Sequence, residues 1–165
     1  MTTWRQGVAL GGALVMMMAS ACTSAEDGAV PLSEARSEIE TLVPALQDAV
    51  TPDAETRWEG PANEAFADDA DGLCRWRPGE WSTPLALPEN DPGWDERRDR
   101  VNAVLEDHGL ETVGDPGYTG GSAYGFETEG PFGSALRIDS WKGTTTIALH
   151  SVPVDAADEC TDGGS

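Results

Sequence analysis

Apolar residues recur at Leu32, Ala35, Ile39, Leu42, Val43, Leu46 and Val50, the three-and-four spacing of one helical face. Glu34, Glu38, Glu40 and Asp48 fall on the opposite face. The spacing predicts an amphipathic helix that starts after Leu32, with Ser33 as its cap and Glu34 at the positive end of its dipole. Pro44 interrupts the pattern and predicts a kink, because proline removes a backbone donor and crowds the preceding turn. A second stripe holds Trp94, Val101, Val104 and Leu105. Asp91-Pro92 reads as its cap and first position, and Gly109 as its stop. The charges from Asp95 to Arg100 are mixed in sign and lie within reach at i,i+3 and i,i+4, which reads as a solvated face.

Elsewhere the pattern changes to alternation. Thr56–Glu59 is a candidate first strand, and Gly60–Asp71 reads as an acidic irregular stretch. Leu73–Arg77 is a second strand, with Cys74 and Trp76 on the inward face and Arg75 and Arg77 on the other. Four segments rich in β-formers follow Gly109: Leu110–Gly114, Ser122–Thr128, Ala135–Trp141 and Thr144–Val154. Asp115-Pro116-Gly117, Gly130-Pro131 and Lys142-Gly143 separate them as turns. The predicted fold is α+β: a single antiparallel sheet with two helices packed on one face, a two-layer sandwich.

The start of the chain has another texture. Arg5 is followed by an uninterrupted apolar run from Gly7 to Met18, and Ala19-Ser20-Ala21-Cys22 closes it. A bilayer-spanning helix needs about 20 apolar residues, so the run is too short to span and reads as an export signal. A lone Arg5 does not make a twin-arginine signal. The predicted organisation is a signal peptide over 1–21, a tether over 22–31 and a single domain over 32–165. Plain secretion after nearby cleavage would leave Cys22 an ordinary thiol.

Charge and cysteine content sharpen the setting. The chain carries 30 acidic and 10 basic residues, a net charge of −20, and loss of residues 1–21 removes one basic and no acidic group. Such a surface repels nucleic acid and anionic headgroups. With Cys22 set aside, Cys74 and Cys160 remain as an even pair in an oxidising compartment and are expected to bond, the alternative being two free buried thiols. Neither has a second Cys or His at ligand spacing, so no metal cofactor is expected.

The candidates for chemistry are thin. Gly120-Gly121-Ser122-Ala123-Tyr124 resembles a nucleophile elbow except that Tyr124 occupies the second glycine position, and its context is strand to strand. It reads as a flexible hairpin. His108 falls at a helix end and His150 on a strand, and neither has a marked partner. Asp68, Asp69 and Asp71 before Gly72 suggest calcium, but Ala67 and Pro78 stand where an EF-hand loop requires ligands. A solvated acidic loop is the plainer reading.

Strand alternation sends Leu136, Ile138, Ile147 and Leu149 inward. Arg137, Asp139, Trp141, Thr146, Ala148 and His150 then face outward. With Arg75, Arg77 and Lys142 they form a candidate binding face of Arg75, Arg77, Arg137, Trp141 and His150, since Trp and Arg commonly anchor contacts. A solvated sheet face balancing nearby carboxylates is the alternative.

The order of features resembles a known family. Cys22 follows a stretch similar to the lipobox of bacterial lipoproteins, with Ala19 where that pattern usually has leucine. An amphipathic helix follows, then Trp58, then Gly72-Leu73-Cys74. A second helix ends at Gly109, and Tyr124-Gly125-Phe126 and a late strand lead to Cys160. This resembles the LppA-type cell-envelope lipoproteins of mycobacteria and related actinobacteria. The resemblance implies lipid at Cys22, anchoring on the extracytoplasmic face of the cell membrane and a Cys74–Cys160 disulfide. It brings no enzymatic role. The function expected is a non-catalytic envelope module that binds an envelope protein or glycan. The alternatives are a carrier of a lipid or other apolar ligand between sheet and helices, and a hydrolase.

Overall fold

The computed structural model describes residues 28–53, 55–68, 72–156 and 159–160. The signal sequence, Cys22 and most of the tether lie outside the described residues, as do Asp69 and Asp71. In chain order the elements are β1 (Val30–Pro31), α1 (Leu32–Val50), β2 (Glu59–Ala62), β3 (Ala65–Asp68), β4 (Cys74–Arg77) and β5 (Gly79–Thr83). They continue with α2 (Trp94–Asp107), β6 (Gly117–Gly120), β7 (Ala123–Glu129), β8 (Ala135–Trp141), β9 (Thr144–His150) and β10 (Val152–Asp155).

Among the described residues the fold is mixed α+β with two α-helices, but the single sheet of the sequence reading is incorrect. Among the described residues there is a six-stranded sheet in the order β2-β5-β9-β8-β7-β6 and a four-stranded sheet in the order β1-β10-β4-β3. The division has a local cause. Between β4 and β5 stand Pro78, which has no N–H for a ladder, and Gly79 at φ +119. Between β9 and β10 stands Ser151 at φ +63. Both strand pairs bend here and pass into the second sheet, as strands do at the corners of packed sheets. Thr144–Val154 is therefore two strands. Alternation along the chain carries no signal for such a bend at a serine.

α1 runs unbroken through Pro44 and buries Ala35, Ile39, Leu42, Val43, Leu46, Ala49 and Val50, the stripe read from the sequence. Its N-cap is Pro31 rather than Ser33, with no side-chain cap bond. α2 has Gly93 as N-cap, and Asp91 holds that turn by accepting from the Gly93 N–H and from Arg97, both at 2.8 Å. Gly109 at φ +69 ends α2 in a Schellman arrangement, the Leu110 N–H reaching the Leu105 carbonyl at 2.8 Å. Leu110–Gly114 forms no strand, because the Asn102 side chain on α2 takes both the N–H and the carbonyl of Val113. The meander instead begins at Gly117. β2 starts only at Glu59, and the stretch expected to be irregular contains most of β2 and all of β3.

One core joins the layers. Leu136, Ile138, Ile147 and Leu149 of the large sheet meet the buried faces of α1 and α2. Trp94 packs edge-to-face on Tyr124 and Phe126 at centroid distances of 5.5 and 5.3 Å. Cys74 and Trp76 point inward as expected, and Cys74 is bonded to Cys160 with a Cα–Cα distance of 5.9 Å. The bridge fixes β4 to the turn after β10.

Candidate functional site

The predicted binding face is assembled only in part: Arg75, Arg77 and His150 lie together, and Trp141 lies apart from them. β8 and β9 pair with Ala135 opposite His150 and Trp141 opposite Thr144, so His150 and Trp141 stand at opposite ends of the hairpin. At about 3.4 Å per residue the separation along the strands is roughly 20 Å. Arg75 and Arg77 lie on β4 in the other sheet, near His150 and Ser151. Trp141 sits at the hairpin tip, half exposed, with Lys142 Nζ 4.1 Å from its ring centre.

The middle of the outward face is not basic. Arg137 lies within 3.5 Å of Glu127 and 3.9 Å of Asp139, and Asp139 also accepts from the Thr119 hydroxyl at 3.0 Å. Glu80 stands across β5–β9 from Ala148, which is itself across from Arg137. Burial holds the Asp139 carboxyl above its ordinary pKa, against the pull of Thr119 and Arg137 and with help from Glu80 and Glu127. Burial, and then Arg77, holds His150 below its ordinary value. Salt-paired charges surround the buried Ala148.

The remaining expectations for chemistry resolve locally. Ser122 lies in the β6–β7 turn. His108 ends α2, with its Nδ1 2.7 Å from Glu38 Oε1 on α1. Among the described residues, no three His, Cys, Asp or Glu side chains gather as a metal site, and no helix is long and apolar enough to cross a membrane.

A different place brings recognition residues together. α1 on one side and β2, β4 and β5 on the other enclose an open groove of about 530 Å³. Trp58, Trp76 and Trp81 line it with Ile39, Val43 and Pro44 of α1. Its size falls in the range of small-ligand sites, which are apolar with a few placed polar groups. Hydrogen bonds hold two of the three indoles in place. The Trp58 indole N–H donates to Thr51 Oγ1 at 2.9 Å, and that hydroxyl donates to the Gln47 carbonyl at 3.0 Å. The Trp76 indole N–H donates to Glu64 Oε1 at 3.0 Å, and Arg36 reaches the same oxygen at 3.3 Å while lying over the Trp76 ring. Phe66 stacks on Trp76 from β3, at a centroid distance of 6.3 Å.

The floor depends on two glycines. A Cβ on Gly60 would stand 2.5 Å from the Glu80 carbonyl oxygen, and one on Gly79 would stand 2.7 Å from that of Ala62. Their absence lets β2 close on β5 and brings Pro61 to the groove. Sequence reasoning placed Trp76 in the core and Trp58 within a first strand that in fact starts one residue later, at Glu59, and did not bring either to Trp81. One signal was present: three of the chain's six tryptophans fall between residues 58 and 81. Compared with protein families, with curated proteins and with solved structures, the chain shows no match in any of the three.

Proposed function

We propose that this protein is a non-catalytic binding module of a bacterial cell envelope, held to the extracytoplasmic face of the membrane by lipid on Cys22, and that it takes its ligand in the tryptophan groove. The observation that carries the ligand site is the convergence of Trp58, Trp76 and Trp81 on one open groove, with the indoles of Trp58 and Trp76 held by hydrogen bonds. A wall held in one geometry loses little freedom when a ligand arrives, which is what a recognition surface needs. The anchoring rests on the first 22 residues and on the likeness to actinobacterial lipoproteins. The Cys74–Cys160 bond agrees with an oxidising compartment.

The outward sheet face supports this role less well. Its Arg137 is already paired with Glu127 and Asp139, and its Trp141 stands a strand's length from His150.

A photocrosslinking residue at Gln47, on the groove, compared with one at Thr146, on the outward face, tests the assignment in intact cells. The groove position is expected to capture a discrete envelope component and the outward position none. Capture at Thr146 alone would move the site to the sheet face. For the anchor, mass spectrometry of the N-terminal peptide should find acylated Cys22, and Cys22→Ala should release the protein from the membrane fraction.

A further inference from the structure

We infer that the groove accepts an extended, proline-rich and basic peptide segment of a partner protein. The inference rests on the groove being the ligand site, as proposed above.

The polar groups at the groove point to this occupant. Glu40 and Pro44 lie one helical turn apart on α1, and both line the groove. Proline has no N–H, so the Glu40 carbonyl lacks its usual helical donor. Across the groove, Trp58 and Trp76 spend their indole donors on Thr51 and Glu64, while the indole N–H of Trp81 has no protein partner among the described residues. Glu40 lines the groove from the helix wall and Trp81 from the strand wall.

Charge narrows the choice. Arg36 is paired with Glu64 at 3.3 Å, whereas the Glu40 carboxylate has no ion-pair partner among the described residues. The groove keeps one unopposed negative charge, within a chain whose net charge is −20. That favours a cationic ligand and disfavours an acidic peptide or an anionic glycan.

An extended polyproline segment has no internal hydrogen bonds and holds its shape before binding. Its backbone groups stay available, its rings dock between aromatic walls, and little order remains to be imposed. Proline rings would lie against Trp58 and Trp81. A peptide carbonyl would accept from the Trp81 indole, a peptide N–H would donate to the Glu40 carbonyl, and an arginine would meet the Glu40 carboxylate. An acyl chain would cover the same walls but leave both polar groups without partners in a site it had dried, which is costly.

Titration of the isotope-labelled full chain with a short peptide of alternating proline and arginine tests this, with the tryptophan indole N–H signals followed by NMR. The Trp81 and Trp58 signals should move while those of Trp94 and Trp141 stay. Trp81→Phe keeps the ring, removes the donor and should weaken binding about fivefold. Glu40→Gln should weaken it about two- to threefold. The same peptide with glutamate in place of arginine should not bind. Unmoved Trp58 and Trp94 signals in the unliganded variants would show that each still folds. If dodecanoate moves the Trp58 and Trp81 signals and the basic peptide does not, the groove stands as a ligand site and the peptide inference is overturned. If neither probe moves them, both readings fall.

Discussion

The Trp76 indole N–H and Glu64 Oε1 are 3.0 Å apart, and the two residues have very different exposure: the tryptophan is 4% exposed and the carboxylate side chain 43%. A half-exposed carboxylate thus satisfies a donor on a buried ring. Arg36 shares that oxygen from a side chain that is 50% exposed, so its ion pair contributes at most about 1 kcal/mol. The indole bond dominates. Glu64→Leu should destabilise the protein by about 1–3 kcal/mol, because the buried donor is left without a partner. Glu64→Gln should cost less, since its carbonyl can still accept. Denaturant unfolding of the two variants checks the order.

The Cys74–Cys160 bond closes a loop with a sequence separation of 86. In the chain-entropy model a loop of that length contributes about 4.5 kcal/mol at most. Unfolding with and without reductant should show a loss of about 2–4 kcal/mol. The Cys74→Ala, Cys160→Ala double variant should lose a similar amount and become insensitive to reductant.

Glycines along the chain should respond very differently to substitution. Gly79→Ala places a methyl 2.7 Å from the Ala62 carbonyl oxygen and 2.9 Å from Pro61 Cβ, at φ +119. Neither neighbour is the end of a flexible side chain. A loss on the order of 2 kcal/mol or more is expected, with disturbance of the groove floor. Gly117→Ala meets nothing within 4 Å and has an ordinary φ, so it should be close to neutral. Thermal unfolding of the two variants separates packing from a general glycine effect.

Two groups on the outward face give stability an opposing pH dependence. His150 titrates below its ordinary value of 6.5 because of burial first and Arg77 second, with Arg137 adding to the fall and Glu80 and Asp139 opposing it. The unfolded chain therefore binds this proton more readily, and stability falls as pH drops from 6.5 toward the folded pKa. Asp139 titrates above 3.8, chiefly from burial, so the folded state holds its proton longer and stability falls as pH rises through that window. His150→Asn should flatten the first slope, and Asp139→Asn the second, in denaturant midpoints taken across acid pH.

The parts of this architecture that follow from local rules were legible in the sequence. The stripe from Ala35 to Val50, the Gly109 stop, the inward Cys74 and Trp76, and the order of the last hairpins all depend on periodicity or on a residue's own backbone preference. The division into two sheets was not legible, because it depends on Pro78-Gly79 and Ser151 acting together across 72 positions of chain. The loss of the Leu110–Gly114 strand depends on one Asn102 side chain reaching from a helix. The groove required α1, β2, β4 and β5 to meet, and alternation assigns each tryptophan only a face of its own strand. Trp141 stands apart from the rest of the proposed face for the same reason: alternation gives orientation, while Trp141 and His150 differ in position along the hairpin.

Oxidative footprinting in intact cells, read tryptophan by tryptophan against the purified protein, tests the central claim most directly. The groove account predicts that Trp58 and Trp81 lose reactivity in cells while Trp141, 51% exposed at its hairpin tip, keeps it. Protection of Trp141 with unchanged Trp58 and Trp81 would contradict it and place the partner at the hairpin end of the sheet.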